Sequence, residues 1–159
     1  MQKIDEKFSK SEGKLLFFGK IKNNFGTEDY LQMSYTKYRK MITQLRLSAH
    51  KLEIEVGRHK KLDRADRICL YCRTGKTETE EHFLFECPNY EEQRRWFIGE
   101  MTLLNQKYNR KMGKIEFLNE VFRSKDINIF NTLGRFLQKC WETRSLMGSN
   151  SAKVSNLFF

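Results

Sequence analysis

Between positions 69 and 87 the chain reads C-L-Y-C-R-T-G-K-T-E-T-E-E-H-F-L-F-E-C, a C-x2-C-x9-H-x4-C spacing that constrains the fold more than any other feature. Zinc takes four soft or borderline ligands in a tetrahedron, at about 2.0–2.3 Å from the metal. A Cys-x-x-Cys bend presents two thiolates from one tight turn, and Gly75 lets the chain reverse after it. The second pair must then come from another element. His82 and Cys87 are five positions apart, so one regular helix would place them roughly 140° apart around its axis. Pro88 offers a way out, because the residue before a proline is disfavoured in the α conformation. The expectation is a short helix carrying His82 that ends at or before Cys87, with Cys87 swung back toward the ion. Phe83, Leu84 and Phe85 would pack beneath and keep the site dry.

Other readings of these residues explain less. A redox Cys-x-x-Cys would more naturally open a helix after a strand, and it leaves His82 and Cys87 without a role. With four ligands filled and no open position, a metal at Cys69, Cys72, His82 and Cys87 is expected to be structural Zn2+ and not catalytic. His59, in a basic stretch, is the rival fourth ligand. Cys140 falls on the apolar face of the last predicted helix and reads as core. His50, where a long helix ends, reads as a satisfied polar contact or a cation at a helix C-terminus.

Around this cluster the pattern is helical. Thr27, followed by Glu28 and Asp29, looks like a helix start. Tyr30, Met33, Tyr38, Met41, Ile42, Leu45 and Leu47 then recur at three- and four-residue steps, with Lys37, Arg39, Lys40 and Arg46 opposite. This predicts one amphipathic helix over 28–49 with a cationic outer face. From Lys51 to Val56 apolar and charged residues alternate, which predicts a short strand closed by Gly57. Pro88 suits a first helical position, and the stripe Tyr90, Trp96, Phe97, Met101, Leu104 carries a helix to about 105. A shorter helix is expected at 114–123. The last runs over 127–147, capped by Asp126, with a core face of Ile129, Phe130, Leu133, Phe136, Leu137, Cys140 and Trp141.

The expected fold class is therefore mainly α: a small helical domain with one embedded structural zinc knuckle and at most a short β segment. Its organisation reads as a polar and apolar lead-in over 1–26, with the first dozen residues frayed. A helical domain follows over 27–147, containing the zinc-binding segment 67–90, and then a flexible tail over 148–159. The leading apolar residues, Leu15 to Phe18 with Ile21 and Phe25, could form a short helix docking on the rest. Thirteen Phe, six Tyr and two Trp in 159 residues make a core attainable despite the polar average. No run of about 18 apolar residues occurs and no secretion signal opens the chain, so no membrane partner is expected. A spare thiol without a signal points to an intracellular compartment, nuclear or cytoplasmic.

The net charge of +10 points to a polyanion as partner, RNA or DNA. The cations concentrate where the cluster begins: Arg58, Lys60, Lys61, Arg64 and Arg67 lead into Cys69, and Arg73 and Lys76 follow Cys72. A metal would hold them on a fixed surface. Tyr71, between the first two cysteines, is placed to stack on a base, as in small zinc knuckles and single-strand binders. The blander reading of these residues is a solvated charged loop or a nuclear import signal.

Three stretches carry a family resemblance: I-T-Q-L-R-L-S-A-H-K-L-E-I-E-V-G-R at 42–58, R-I-C-L-Y-C at 67–72, and E-T-E-E-H-F-L-F-E-C-P-N-Y at 78–90 with Arg94. Residues from about 28 to 98 resemble the zinc-binding region that lies C-terminal to the polymerase in non-LTR retrotransposon reverse transcriptases. In that family the Cys-Cys-His-Cys (CCHC) region assists binding of template RNA or target DNA. The resemblance implies the metal at Cys69, Cys72, His82 and Cys87, and a nucleic-acid contact surface between Arg58 and Lys76. It covers somewhat under half of the chain. No Tyr-x-Asp-Asp turn and no cluster of carboxylates accompanies it, so the two-metal machinery of phosphoryl transfer is missing from these residues. The chain is thus expected to be no enzyme. It would be either the terminal part of a longer polyprotein or a short gene derived from one, with a reverse transcriptase polypeptide as a possible partner. The competing expectation is a zinc-braced protein-interaction domain, docking through the aromatic helices after residue 88.

Overall fold

A computed structural model describes residues 13–22, 26–33, 35–108 and 111–155. Helix α1 is Leu16–Ile21, α2 is Tyr30–Met33 and α3 is Thr36–Arg46. After α4, Glu53–His59, a 3₁₀ turn at Arg64–Asp66 leads into the cysteine loop. A π-helical turn at His82–Glu86 and a 3₁₀ turn at Pro88–Tyr90 then feed α5, Glu91–Leu104. Helices α6, Lys114–Arg123, and α7, Ile127–Ser155, complete the order. The only extended pairing among the described residues is one antiparallel bridge, Ile68 to Thr77. Mainly α is the correct class.

Helix α7 is the axis of assembly, with α3, α5 and α2 all packing on it, while α1 lies on α6. Most of its predicted face is buried: Ile129, Phe130, Leu133, Phe136, Leu137 and Cys140 each expose 4% or less of their surface, while Trp141 is only partly buried. Burial pushes the Cys140 thiol up to about 12, as befits an inert core residue. Aromatic rings carry the packing between helices. Phe97 stacks on Phe136 at 4.4 Å with 8° between planes, and its edge meets Phe117 at 5.7 Å. Tyr108 joins the far side of Phe117 at 5.6 Å. Asp126 caps α7 through its carboxylate, which accepts from the Asn128 amide at 2.8 Å.

Several local expectations change. The 51–56 segment is not a strand, because Glu53 opens α4. Its alternation is real in sequence, but the amides of Glu53 and Ile54 are claimed from a distance by Glu78. The Glu78 carboxylate accepts from Glu53 N at 2.7 Å, and its backbone carbonyl from Ile54 N at 3.2 Å. This remote cap starts a helix where local periodicity suggests none. The single helix expected over 28–49 is divided into α2 and α3. Arg46, placed by periodicity on the outer face, is 1% exposed. Its guanidinium sits 4.0 Å over the Phe122 ring and makes two 3.1 Å hydrogen bonds to the Glu28 carboxylate. Burial pulls its pKa down, and Glu28 opposes that shift.

At the far end α7 runs past the tail boundary expected at 148 and continues to Ser155. The hydroxyls of Ser145 and Ser149 donate to the carbonyls four residues back, at 3.0 and 2.9 Å, satisfying their polarity without leaving the helix. In the lead-in, α1 docks as expected, burying Phe17 and Ile21. The expectations for residues 1–12, for Phe25 and for 156–159 fall outside the described residues.

Gly134 marks the closest approach of α3 to α7. A Cβ there would lie 2.3 Å from Tyr38 Cγ. Alanine would gain about 1 kcal/mol of helix propensity at this interior position, yet it must push the ring of Tyr38 aside. Gly134→Ala is therefore expected to lower stability by about 1–3 kcal/mol in urea denaturation, the reverse of the propensity sign. An unchanged or raised midpoint would show that the two helices are less closely packed.

Candidate metal centre

The cysteine loop is built from the bottom up by one reversal. Arg73 and Gly75 both adopt positive φ, 55° and 70°, so the chain turns back on itself just after Cys72. The Ile68–Thr77 bridge and the Cys69 N to Lys76 O hydrogen bond at 2.9 Å hold the two limbs together. Cys69 and Cys72 are thereby presented from one bend.

The second pair meets the first through a device that sequence spacing does not suggest. Residues 82–86 form a π turn, closed by the Cys87 amide donating to the His82 carbonyl at 2.7 Å. An i to i+5 hydrogen bond brings together two residues that a regular helix would splay. Cys87 then leaves at φ −60°, ψ 120°, the extended conformation that Pro88 demands. The expected helix carrying His82 and ending at Cys87 is present, and the π turn supplies the geometry. Arg94 secures its end, donating to the carbonyls of Leu84 at 3.2 Å and Cys87 at 2.5 Å.

Cys69, Cys72, His82 and Cys87 offer ligand atoms that all lie within 4.8 Å of one another. Four ligands around zinc would stand roughly 3.5–3.8 Å apart, given bonds of about 2.0–2.3 Å, so the side chains need only close in slightly. Cys72 Sγ and His82 Nε2 are already 3.4 Å apart. Three of the four residues are buried; Cys72 is half-buried, with Thr74 Oγ1 3.0 Å from its sulfur. The neighbouring Cys87 sulfur pushes the Cys69 thiol up, with burial adding to it, while Cys69 in turn holds Cys87 below the ordinary thiol value. Such an arrangement accommodates one cation in place of the thiol protons. Burial also lowers the His82 pKa, which keeps the imidazole neutral and its lone pair available.

A surrounding shell orients these groups. With Nε2 toward the sulfurs, His82 turns its buried Nδ1 toward Glu86, whose carboxylate is 3.8 Å away. Lys114 and Lys76 hold that carboxylate at 2.6 and 3.2 Å and depress its pKa to about 2, Lys114 being the larger influence. At 3.8 Å the carboxylate acts on the imidazole through its charge and not through a hydrogen bond, and Nδ1 is left without a hydrogen-bond partner. Phe83 and Leu84 are buried beneath, as expected, while Phe85 is only partly so.

Glu78 completes the shell from below. Fully buried, it lies 3.3 Å from Cys69 Sγ, accepting from it while that thiol is protonated, and forms a two-pronged pair with Arg144 of α7, through Nη1 and through Nη2 at 2.9 Å. Burial works against the Arg144 charge, but Glu78 more than offsets it and holds the guanidinium above its ordinary value. Arg144 also donates to the Lys51 carbonyl at 3.0 Å.

The basic residues divide into two groups. Lys60, Lys61 and Arg73 are exposed, and Arg64 is half-buried on the wall of a cleft it shares with Arg58 and Arg67. The others have internal work. Arg58 pairs with Glu55 at 2.8 Å, and Lys76 with Glu86. Arg67 donates to the carbonyls of Ile54 and Leu62 at 3.1 and 2.8 Å, and its stem lies so close to Gly57 that a Cβ there would sit 2.5 Å from it. Arg67 is thus a structural brace. Tyr71 does not project freely either: the Arg144 guanidinium lies 4.5 Å over its ring. His59 is exposed and outside the cluster, hydrogen-bonded to Arg58 at 3.4 Å. His50 is a satisfied contact, with Nε2 3.1 Å from Glu80.

Glu78, Glu86, Arg94 and Arg144 carry no role in the sequence reading. The hints are the acid-rich E-T-E-E run preceding the histidine and the presence of Arg94 among the residues that carry the resemblance. No family model, no curated protein and no solved structure matches the chain. Among the described residues no helix is long and apolar enough to cross a membrane.

Removing one half of the buried pair tests the shell. Arg144→Leu leaves the Glu78 carboxylate buried without its partner, and is expected to cost about 3–5 kcal/mol in denaturant titration. Arg144→Lys, which keeps the charge but not the two-pronged geometry, should recover only part of it. A loss within experimental error for Arg144→Leu would mean that the pair is solvent-relaxed.

Proposed function

We propose that Cys69, Cys72, His82 and Cys87 hold one structural zinc ion, and that the loop it braces contacts RNA or DNA. The observation that carries the reading is the convergence of three sulfurs and one imidazole nitrogen on a single point inside the fold. That donor set is the one zinc favours, and four protein ligands complete a tetrahedron. Bound there, the ion would supply rigidity, while the residues around it orient the ligands and exclude water.

The nucleic-acid half of the reading rests on charge. With a net +10 on the whole chain, Lys60 and Lys61 are exposed at the end of α4 and Arg73 is exposed in the loop itself. Phosphate contacts from such a surface need no sequence readout. The resemblance to the C-terminal region of non-LTR retrotransposon reverse transcriptases points the same way, to an accessory binding module and not an enzyme. A second reading has its own observation. Leu103 is 84% exposed on α5 and Leu146 67% on α7, exposed leucines of the kind a zinc-braced protein-interaction domain would use.

Metal analysis of the purified chain is expected to return one zinc per molecule. Cys87→Ser and Cys72→Ser should each lose it and lower the melting temperature, because structural zinc binding is itself folding free energy. A melting curve indifferent to chelation would sink the zinc reading. Binding to short RNA or DNA should weaken steeply with salt, and Lys60→Ala, Lys61→Ala and Arg64→Ala together should weaken it further and flatten the salt slope. No binding at low salt, beside a stable complex with a protein, would favour the second reading.

A further inference from the structure

Behind the metal loop lies a cleft of about 540 Å³ between α3, α7 and the bend that carries Tyr71. Resting on the nucleic-acid reading above, we propose that it receives one unpaired nucleobase, so that the chain grips single-stranded nucleic acid and not duplex.

Two rings and a thioether face the cleft among polar side chains, His50 included. Tyr71 and Trp141 supply rings and Met41 a thioether, all partly buried. Phe83 stacks on Trp141 at 4.7 Å with 30° between planes, fixing that indole from behind. Arg144 contributes to the lining, yet its charge is spent: Glu78 and the Lys51 carbonyl take its donors, and its plane covers Tyr71. A cleft whose deep cation is already neutralised attracts a neutral planar group more than an anion. Aromatic and guanidinium planes are the surfaces on which splayed bases stack.

The rim is polar and suits the rest of a nucleotide. Gln44, exposed on α3, can both donate to and accept from a base edge, and the Ser145 hydroxyl oxygen can accept. Lys51 is exposed at the mouth, and Lys40 lies one helical turn from Gln44. Arg73, two residues beyond Tyr71, is exposed. Glu53 also lines the cleft, so phosphate would be steered to the Lys51 side. Bases in a duplex are stacked and paired and cannot enter, which makes strandedness the property the cleft selects.

The test uses the full, zinc-loaded chain with a fluorescein-labelled single-stranded oligonucleotide and the duplex of the same sequence, read by anisotropy. Gln44→Trp and Ser145→Trp each fill the cleft from an exposed helix position without removing core. Each is expected to weaken single-strand binding about ten-fold and to leave duplex binding and the salt slope as they are. In a Trp96→Phe background, where Trp141 is the remaining indole, single strand should quench tryptophan fluorescence and an abasic strand should not. Equal affinity for the two strand forms, with both cleft-filling variants neutral and the Lys60/Lys61/Arg64 triple variant still weakened, overturns the base pocket and leaves the nucleic-acid reading standing. No binding of either form, with a normal zinc content, overturns both.

Discussion

The carboxylate of Glu78 is the point on which the architecture turns. It has no solvent to rely on, so every lone pair must find a donor inside the protein. It finds the Glu53 amide that opens α4 and the Arg144 guanidinium from the last helix, and it lies 3.3 Å from the Cys69 sulfur at the start of the metal loop, which can donate to it only while protonated. Three segments far apart in the chain are thereby held at one place. Little net stability need come from this, since the desolvation of two charges offsets most of their attraction. What the pair provides is arrangement: moved by a residue in either direction, each of these partners would leave a buried charge unpaired.

Around that anchor the metal loop can be short. It has one bridge in place of a sheet, and a π turn in place of a regular helix. Both are marginal on their own. Arg94 takes the carbonyls that the π turn leaves open, Lys114 and Lys76 clamp the carboxylate behind His82, and α7 closes the underside through Arg144 and Trp141. The cluster is therefore part of the helical core and not an appendage to it. This explains why Arg67, which looks like a nucleic-acid-facing residue in a linear reading, is turned inward: the loop needs it to stay in place.

The aromatic packing has a similar logic at the other end of the molecule. Arg46 lies among Phe122, Tyr30 and Phe18 with Glu28 as its counterion, so α1, α2, α3 and α6 meet on a cation. Rings offer that cation an attractive face while excluding water. A chain rich in phenylalanine and lysine can build such contacts where a leucine-rich one would build an ordinary hydrophobic seam.

The gathering of Cys69, Cys72, His82 and Cys87 into one cluster, the helices at 114–123 and from 127, and the helix break before Pro88 were legible from residues alone, because each shows in spacing or local pattern. A tetrahedral donor set shows itself in spacing, and an apolar stripe shows its period. The helix at 53–59, the burial of Arg46, the π turn and the extension of α7 to Ser155 were not legible. In the first two cases the deciding partner is remote: Glu78 lies some two dozen residues from the amides it caps, and the rings around Arg46 come from three other helices. Local pattern specifies which atoms are available for bonding; only the folded chain decides which of them are left without water and must find one another.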